Sequence, residues 1–463
     1  MRYESIEKLL AVGIVNNVGA QLLGPIILDL LQQYPQDRPS LDCVRKALAK
    51  LSVSENPKKT PAIPGRLGAE ETSTLVVGGM AKIIETVDLA NDLRLWPKRE
   101  GAVETDSLNV QYGASGVLGV LSQFYRIAPT STLGDAISNV VEWISDRVWR
   151  EPRVLPGLFF GRSGTALAML DAGLTLQDEQ MVKEASEIAR RIPLNWTNPD
   201  VFHGLSGAGL TQLRFWTATK SEGFLARARD IADSVVKSAH WQNGRVVWPI
   251  PPSPTSIFDG VQHYGFAHGV AGVGTFLAEV GKATGDSRCI ELAGAAARTL
   301  IDVSRNERGA AYWPISEVHN VPAINLCSGS AGVGTFFVRL SSLFAESGEM
   351  SDIADDVNCL THQAAVAVRQ ARWHVGASQC HGLAGNGEFL LDLADYSGDG
   401  TYRDWAKELA FVLGFRTVLE NGKPVISDES GPLPVNYNTG LAGVVSFLGR
   451  LQNGGARLWI PTE

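Results

Sequence analysis

The chain has 463 residues, 44% hydrophobic and 19% charged, with a net charge of -8 and a pI of about 5.6. That length exceeds one small core and calls for several domains or one large repetitive fold, and the acidic balance excludes a nucleic-acid partner held by bulk charge. Five scattered cysteines, an odd number, make no disulfide framework. They suit a reducing, cytoplasmic compartment in which a special cysteine is catalytic or metal-bound.

The N-terminal apolar run LLAVGIVNNVGAQLLGPIILDLL is interrupted by Asn16, Asn17, Gln21, Pro25 and Asp29. A membrane span needs about 20 nearly unbroken apolar residues. Glu4 and Glu7 stand where a signal peptide would carry positive charge. Neither a membrane segment nor a signal is expected. Residues 36–52 follow, with Arg38-Pro39-Ser40 leading into LDCVRKALAKL. This stretch resembles the end of a protein-kinase C-terminal lobe, where an Arg-Pro-Ser turn precedes the last helix. A generic capped helix is the alternative. No phosphate-binding glycine loop and no HRD or DFG element occurs, so a kinase-derived piece over residues 1–52 would be an inactive remnant. Residues 53–72, rich in proline and charge, read as a linker.

From there on the chain repeats. A Gly-x-x-Gly element with Ser or Ala at its third position occurs seven times: YGASG (112–116), FGRSG (160–164), HGLSG (203–207), HGVAG (268–272), SGSAG (328–332), HGLAG (381–385) and TGLAG (439–443). The steps between first glycines are 48, 43, 65, 60, 53 and 58 residues. Each copy leads into a glycine- and alanine-rich apolar stretch, of a kind buried on all sides. The first six continue into an amphipathic helix such as QMVKEASEIARRI. The unit is a helical hairpin, and the pattern predicts an all-α toroid over residues 73–463, with seven inner and seven outer helices. Glycine allows a sharp turn into the helix and close helix approach.

In such a barrel the residues before each motif gather at one end. Tyr112, Phe160, His203, His268, Ser328, His381 and Thr439 occupy the position just before the first glycine. Three of the chain's eight histidines share it, and Cys327 and Cys380 sit one step earlier. Read alone, the Cys380-His381 pair is open to three interpretations: metal ligands, a nucleophile with its base, or packing.

The repeat together with GFAHGVAG, NLCSGSAG and QCHGLAGN resembles the lanthionine synthetase C-like family over residues 73–463. The resemblance implies a double ring of helices with Zn2+ at one end, held by Cys327, Cys380 and His381. With the kinase-like stretch it points to the cyclase portion of a class IV lanthipeptide synthetase. Such an enzyme works beside upstream lyase and kinase domains on a dehydrated precursor peptide, leader plus core. A substrate cysteine bound at the open zinc position ionises near neutral pH. Its addition to dehydroalanine or dehydrobutyrine closes a lanthionine or methyllanthionine ring. The resemblance makes His268 the acid that protonates the resulting enolate and Asp200 its partner. Asp200 also reads as a helix N-cap. His203 is expected to line the rim, and Arg162 to meet peptide carboxylates or to be a solvated charge. Cys43, Cys289 and Cys359 are expected to pack, and His240, His263, His319, His362 and His374 to be structural.

Two positions depart from the family pattern. Ala323 stands where an arginine is usual, and Leu326 replaces the tryptophan before the first cysteine. The competing readings are a non-catalytic peptide-binding scaffold, another zinc thiolate enzyme such as a prenyltransferase-like toroid, and a glutathione-adding relative.

Overall fold

A computed structural model describes residues 18–32, 34–53, 68–98, 105–150, 155–252, 260–345, 348–420, 423–428 and 431–460. Its N-terminal run before residue 18 and residues 54–67 of the expected linker lie outside them. The kinase-like stretch forms the helix Leu41–Val53, with Ser40 Oγ accepting the Cys43 N–H at 3.3 Å, behind the helix Val18–Leu30. No helix among the described residues is long and apolar enough to cross a membrane.

The seven motifs start seven inner helices: Ala114–Ile127, Arg162–Leu176, Leu205–Thr219, Val270–Thr284, Ser330–Phe344, Leu383–Ser397 and Leu441–Asn453. Each packs against the next, and the last returns to the first. They are buried almost throughout, as is every residue from Leu383 to Ala394. Glycines inside these helices receive phenylalanines from the following repeat. A side chain on Gly209 would strike the Phe276 ring, and one on Gly387 the Phe447 ring. Gly274 and Gly334 meet Phe336 and Phe389 in the same way, so four successive inner-helix contacts are aromatic knobs in glycine holes.

Six outer helices follow their inner partners: Ser131–Ser145, Glu179–Arg191, Glu222–Lys237, Ser287–Val303, Ala354–Gln370 and Gly400–Phe415. Four start on a side-chain cap (Thr130, Asp178, Asp286 and Asp399) that accepts a first-turn N–H. The seventh outer helix comes from before the first repeat. Ala69–Glu85 packs on Leu441–Asn453 and begins inside the stretch expected to be linker. The predicted all-α toroid is therefore present, with one outer helix supplied from the other end of the repeat array. Three small antiparallel sheets bring the chain back to the rim. They pair His240–Gln242 with Arg245–Val247, Arg305–Glu307 with Ala310–Pro314 and Pro322–Ala323, and Thr417–Glu420 with Lys423–Asp428 and Gly431–Pro432.

The glycine motif has a sharper cause than easy turning. Its glycines are pressed against the loop that precedes them. A Cβ on Gly272 would overlap the carbonyl of Phe266, and one on Gly385 that of Gln379, six residues earlier in each case. The inner helices have glycine N-caps without a side-chain cap, and their first N–H groups bond back to the same loop. Leu205 N–H donates to the Asn198 carbonyl at 2.9 Å, Val270 to His263 at 3.0 Å and Leu383 to Gly376 at 2.8 Å.

The seven loops are tied into a closed belt. The residue two before each motif's first glycine donates its N–H to the carbonyl of its counterpart in the next repeat. The circuit runs Gln111 to Phe159 (2.9 Å), Phe159 to Phe202 (3.2 Å), Phe202 to Ala267 (3.2 Å) and Ala267 to Cys327 (3.0 Å). It continues from Cys327 to Cys380 (3.4 Å), Cys380 to Asn438 (2.9 Å) and Asn438 back to Gln111 (3.3 Å). The inner helices' other end is held by buried ion pairs. Arg450 meets Glu388 and Asp392, each at 2.7 Å, and Arg457 meets Asp392 at 2.8 Å.

Candidate active site at the rim

Cys327 and Cys380 are successive members of the belt, so their spacing is set by backbone hydrogen bonding. Their Cα atoms are 5.7 Å apart, and the two sulfurs are joined as a disulfide. Five scattered cysteines make no disulfide framework, and this pair is the one joined among the described residues. The same backbone separation suits two thiolates on one metal ion, and the metal-binding form of the pair is the reduced one. His381 extends from the next residue, with Nε2 3.8 Å from Cys380 Sγ. Across a tetrahedral zinc, sulfur and nitrogen ligands stand about 3.6 Å apart. The ligand atoms of Cys327, Cys380 and His381 all lie within 4.8 Å of one another. Two soft sulfurs and one imidazole fit zinc and leave a fourth position for a substrate. Partial desolvation of the His381 ring, and then the nearby His268, hold its pKa below the ordinary imidazole value. The neutral form is the one that ligates.

Asp200 does two jobs. Its Oδ1 accepts the N–H of His203 at 2.6 Å. Asn109, Asn325 and Asn436 do the same for Tyr112, Ser328 and Thr439, each at 2.9 Å. Asp200 is thus one of a set of Asx turns that shape the rim loops, rather than a helix N-cap. Its Oδ2 faces inward, 2.8 Å from His268 Nδ1 and 3.3 Å from His203 Nδ1. Burial alone would push the Asp200 carboxyl up. The charge of His203 and hydrogen bonds from both imidazoles outweigh that and hold it well below the usual range. His268 is held below its ordinary value by burial, against the pull of Asp200.

His203, expected to line the rim, is packed into the site. Its ring lies parallel between Phe160, at 4.4 Å and 14°, and His268, at 5.1 Å and 21°. His263 was not expected at the site at all. It is buried, its ring sits 6.0 Å from His268, and burial, reinforced by His268, pushes its pKa down to about 4. It lies five residues before His268, outside the repeated position, so the motif alignment carried no sign of it.

The other expectations resolve individually. Arg162 is buried and paired with Asp106, so it is not a solvated charge. Cys289 is buried and its thiol is pushed up to about 12, chiefly by desolvation. Cys43 and Cys359 are exposed and do not pack in the core. His319 meets Ser316 Oγ, His362 meets the Tyr402 hydroxyl and His240 its own loop carbonyl at Ser238. His374 is exposed. Ala323 and Leu326 are buried, and the Ala323 carbonyl accepts the Ser330 hydroxyl at 3.3 Å. A cavity of about 360 Å³ opens between the first and seventh repeats beside the rim residues Tyr112 and Thr439, with Arg94, Trp96 and Asn436 in its wall.

The comparisons with known proteins agree with this architecture. The sequence profile of the lanthionine synthetase C-like proteins matches residues 104–462. No curated protein sequence matches the chain. The solved structure of a nisin cyclase superposes with a TM-score of 0.58 at 16% identity, covering 82% of this chain and 93% of that one. A sugar epimerase from a ruminal bacterium also matches, with a TM-score of 0.47 at 10% identity over 84% of this chain and 99% of that one. A D-mannose isomerase follows with a TM-score of 0.40 at 12% identity over 66% and 88%. The nisin cyclase likeness is one of fold. The profile spans most of the sequence and takes in all seven glycine motifs, and on that ground the chain belongs to the lanthionine synthetase C-like family.

Proposed function

We propose that this protein is a zinc-dependent lanthipeptide cyclase. The observation that carries the reading is the convergence, on one rim of a chain of this family, of Cys327, Cys380 and His381 with the Asp200–His268 pair. Zinc held by the first three residues would lower the pKa of a substrate cysteine thiol and supply a thiolate near neutral pH. Sulfur then bonds to the β-carbon of a dehydroalanine or dehydrobutyrine in the same peptide, and the Cα–Cβ π bond opens to an enolate. Asp200 holds His268 through Nδ1, which leaves Nε2 to deliver the proton to Cα. One proton leaves the thiol and one arrives at Cα, so the thioether product is an isomer of the linear peptide. The Tyr112–Thr439 cavity gives room for peptide flanking the reacting residues.

The finer assignment follows the sequence. Residues 36–52 favour the cyclase part of a class IV synthetase, working in the cytoplasm with lyase and kinase domains that prepare the precursor. A reducing compartment keeps the cysteine pair in its dithiol form. The disulfide favours a second reading, a scaffold that binds peptide without chemistry. Zinc content of the reduced protein separates the two, with cyclisation of a dehydrated peptide measured in parallel on wild type and Cys380→Ala. About one zinc per chain, lost together with ring formation in the variant, supports the cyclase. Zinc-free wild type after reduction and metal loading leaves the scaffold.

A further inference from the structure

Asp200 is fully buried, and among the described residues no lysine or arginine is bonded to its carboxyl. The groups that meet it are the Asn198 amide at 3.3 Å, the His203 N–H at 2.6 Å, and two imidazoles. A buried carboxylate is stabilised by a nearby cation. A proton on either imidazole is one solution, and a metal ion among the three side chains is the other. We propose that Asp200 Oδ2, His203 Nδ1 and His268 Nδ1 form a second site for a zinc-class divalent cation, weaker than the thiolate site, whose occupation blocks His268.

Three observations support it. The three ligand atoms lie within 4.8 Å of one another. The two nitrogen–oxygen separations, 2.8 and 3.3 Å, approach the roughly 2.9–3.4 Å between nitrogen and oxygen ligands on one zinc ion. The donors are also held in place before any ion arrives. Oδ1 is fixed by its turn, and the His203 ring is clamped between Phe160 and His268. Two imidazoles and a carboxylate suit zinc, cobalt and nickel, and leave a position open. Weaker binding follows from the donor set, since one carboxylate replaces two thiolates and the ion competes with protons for both rings. The His203 side chain, about one-fifth exposed, provides the way in. Filling the site ties up Nδ1 of His268 and places a positive charge beside it, which opposes protonation at Nε2. The metal site stands without the cyclase reading; only its inhibitory consequence rests on His268 being the acid.

Cobalt(II) titrated into the reduced, metal-free full chain tests this by absorption. The first equivalent should bring a thiolate-to-cobalt charge-transfer band, and the second only weak visible bands of a nitrogen and oxygen site. His203→Ala should weaken the second equivalent more than about tenfold and spare the first. A Cys327→Ala/Cys380→Ala double variant should keep only the second. Saturation of wild type at one equivalent overturns the proposal, as does a second equivalent that His203→Ala leaves equally tight. If the double variant does not fold, His203→Ala with both cysteines present decides alone. With dehydrated peptide, zinc beyond one equivalent should slow ring closure; an undiminished rate with the second site filled overturns the inhibitory role. Failure of the cyclase reading would show as no ring at any zinc level, with the cobalt stoichiometry still readable.

Discussion

Asp200→Asn separates the two jobs of one carboxylate. The turn should survive, because Asn109, Asn325 and Asn436 already accept the equivalent N–H at 2.9 Å. Melting temperature and the zinc held by Cys327, Cys380 and His381 should therefore stay near wild type. What disappears is the negative charge 2.8 Å from His268 Nδ1. A charge-assisted hydrogen bond of this kind contributes about 1.5–3 kcal/mol, so ring closure should slow roughly 10- to 150-fold. Burial already lowers the His268 pKa, and Asp200 is the group that raises it. Without that group the protonated acid becomes scarcer at any given pH, and the alkaline limb of the rate profile moves to lower pH. The assay is single-turnover cyclisation of a dehydrated peptide across pH, with melting and zinc content as controls. A wild-type rate in a folded, zinc-loaded Asp200→Asn protein would reduce Asp200 to a turn former. An unfolded variant would refute the equivalence of the rim turns.

Further expectations follow from the same structure. His263 titrates near pH 4 when folded against about 6.5 unfolded, so the unfolded chain takes the extra proton first. Stability should be full above about pH 6.5 and fall by about 3 kcal/mol as pH drops toward 4. Melts at pH 7.5 and 4.5, in wild type and His263→Asn, check this; an equal pH slope in both refutes it. The Asp200 shift acts in a lower window, below about pH 3.8. Gly385→Ala forces a methyl into the Gln379 carbonyl and should destabilise by several kcal/mol, on the order of an overpacked core, while the solvent-open Gly400→Ala should not. Denaturant midpoints of the two variants decide. Arg450→Met leaves Glu388 and Asp392 buried beside a neutral side chain and should cost about 3–5 kcal/mol in urea unfolding. A midpoint within experimental scatter of wild type would mean that Arg457 suffices.

Much of the site was legible because it repeats. Aligning seven glycine motifs puts His268, His381, Cys327 and Cys380 on one rim without any coordinates, and the all-α double ring follows from the same alignment. The turn-forming position three residues before the rim residue was also present in the sequence at five of the seven repeats, as Asn109, Asp200, Asn325 and Asn436 and, with serine in place of an Asx residue, Ser378. Side-chain chemistry drew attention first to the glycines and histidines. His263 was hidden because it sits off the repeat. Arg162 was misplaced because its partner, Asp106, belongs to the loop of another repeat. The seventh outer helix could not be read from the repeats, since a linear pattern does not say which segment returns to close a circle. The hydrogen-bonded belt leaves no trace in residue type, because every link is backbone.

That belt couples repeat number to the spacing of the rim residues. The seven loops together complete one full rotation, so the mean angle between neighbouring loops depends on how many there are. A homologue with six or eight hairpins would keep every motif, yet its neighbouring cysteines would diverge by a different angle and span a different gap. Seven-foldness then sets the gap between the rim cysteines, held by backbone hydrogen bonds between residues whose side chains are free to vary.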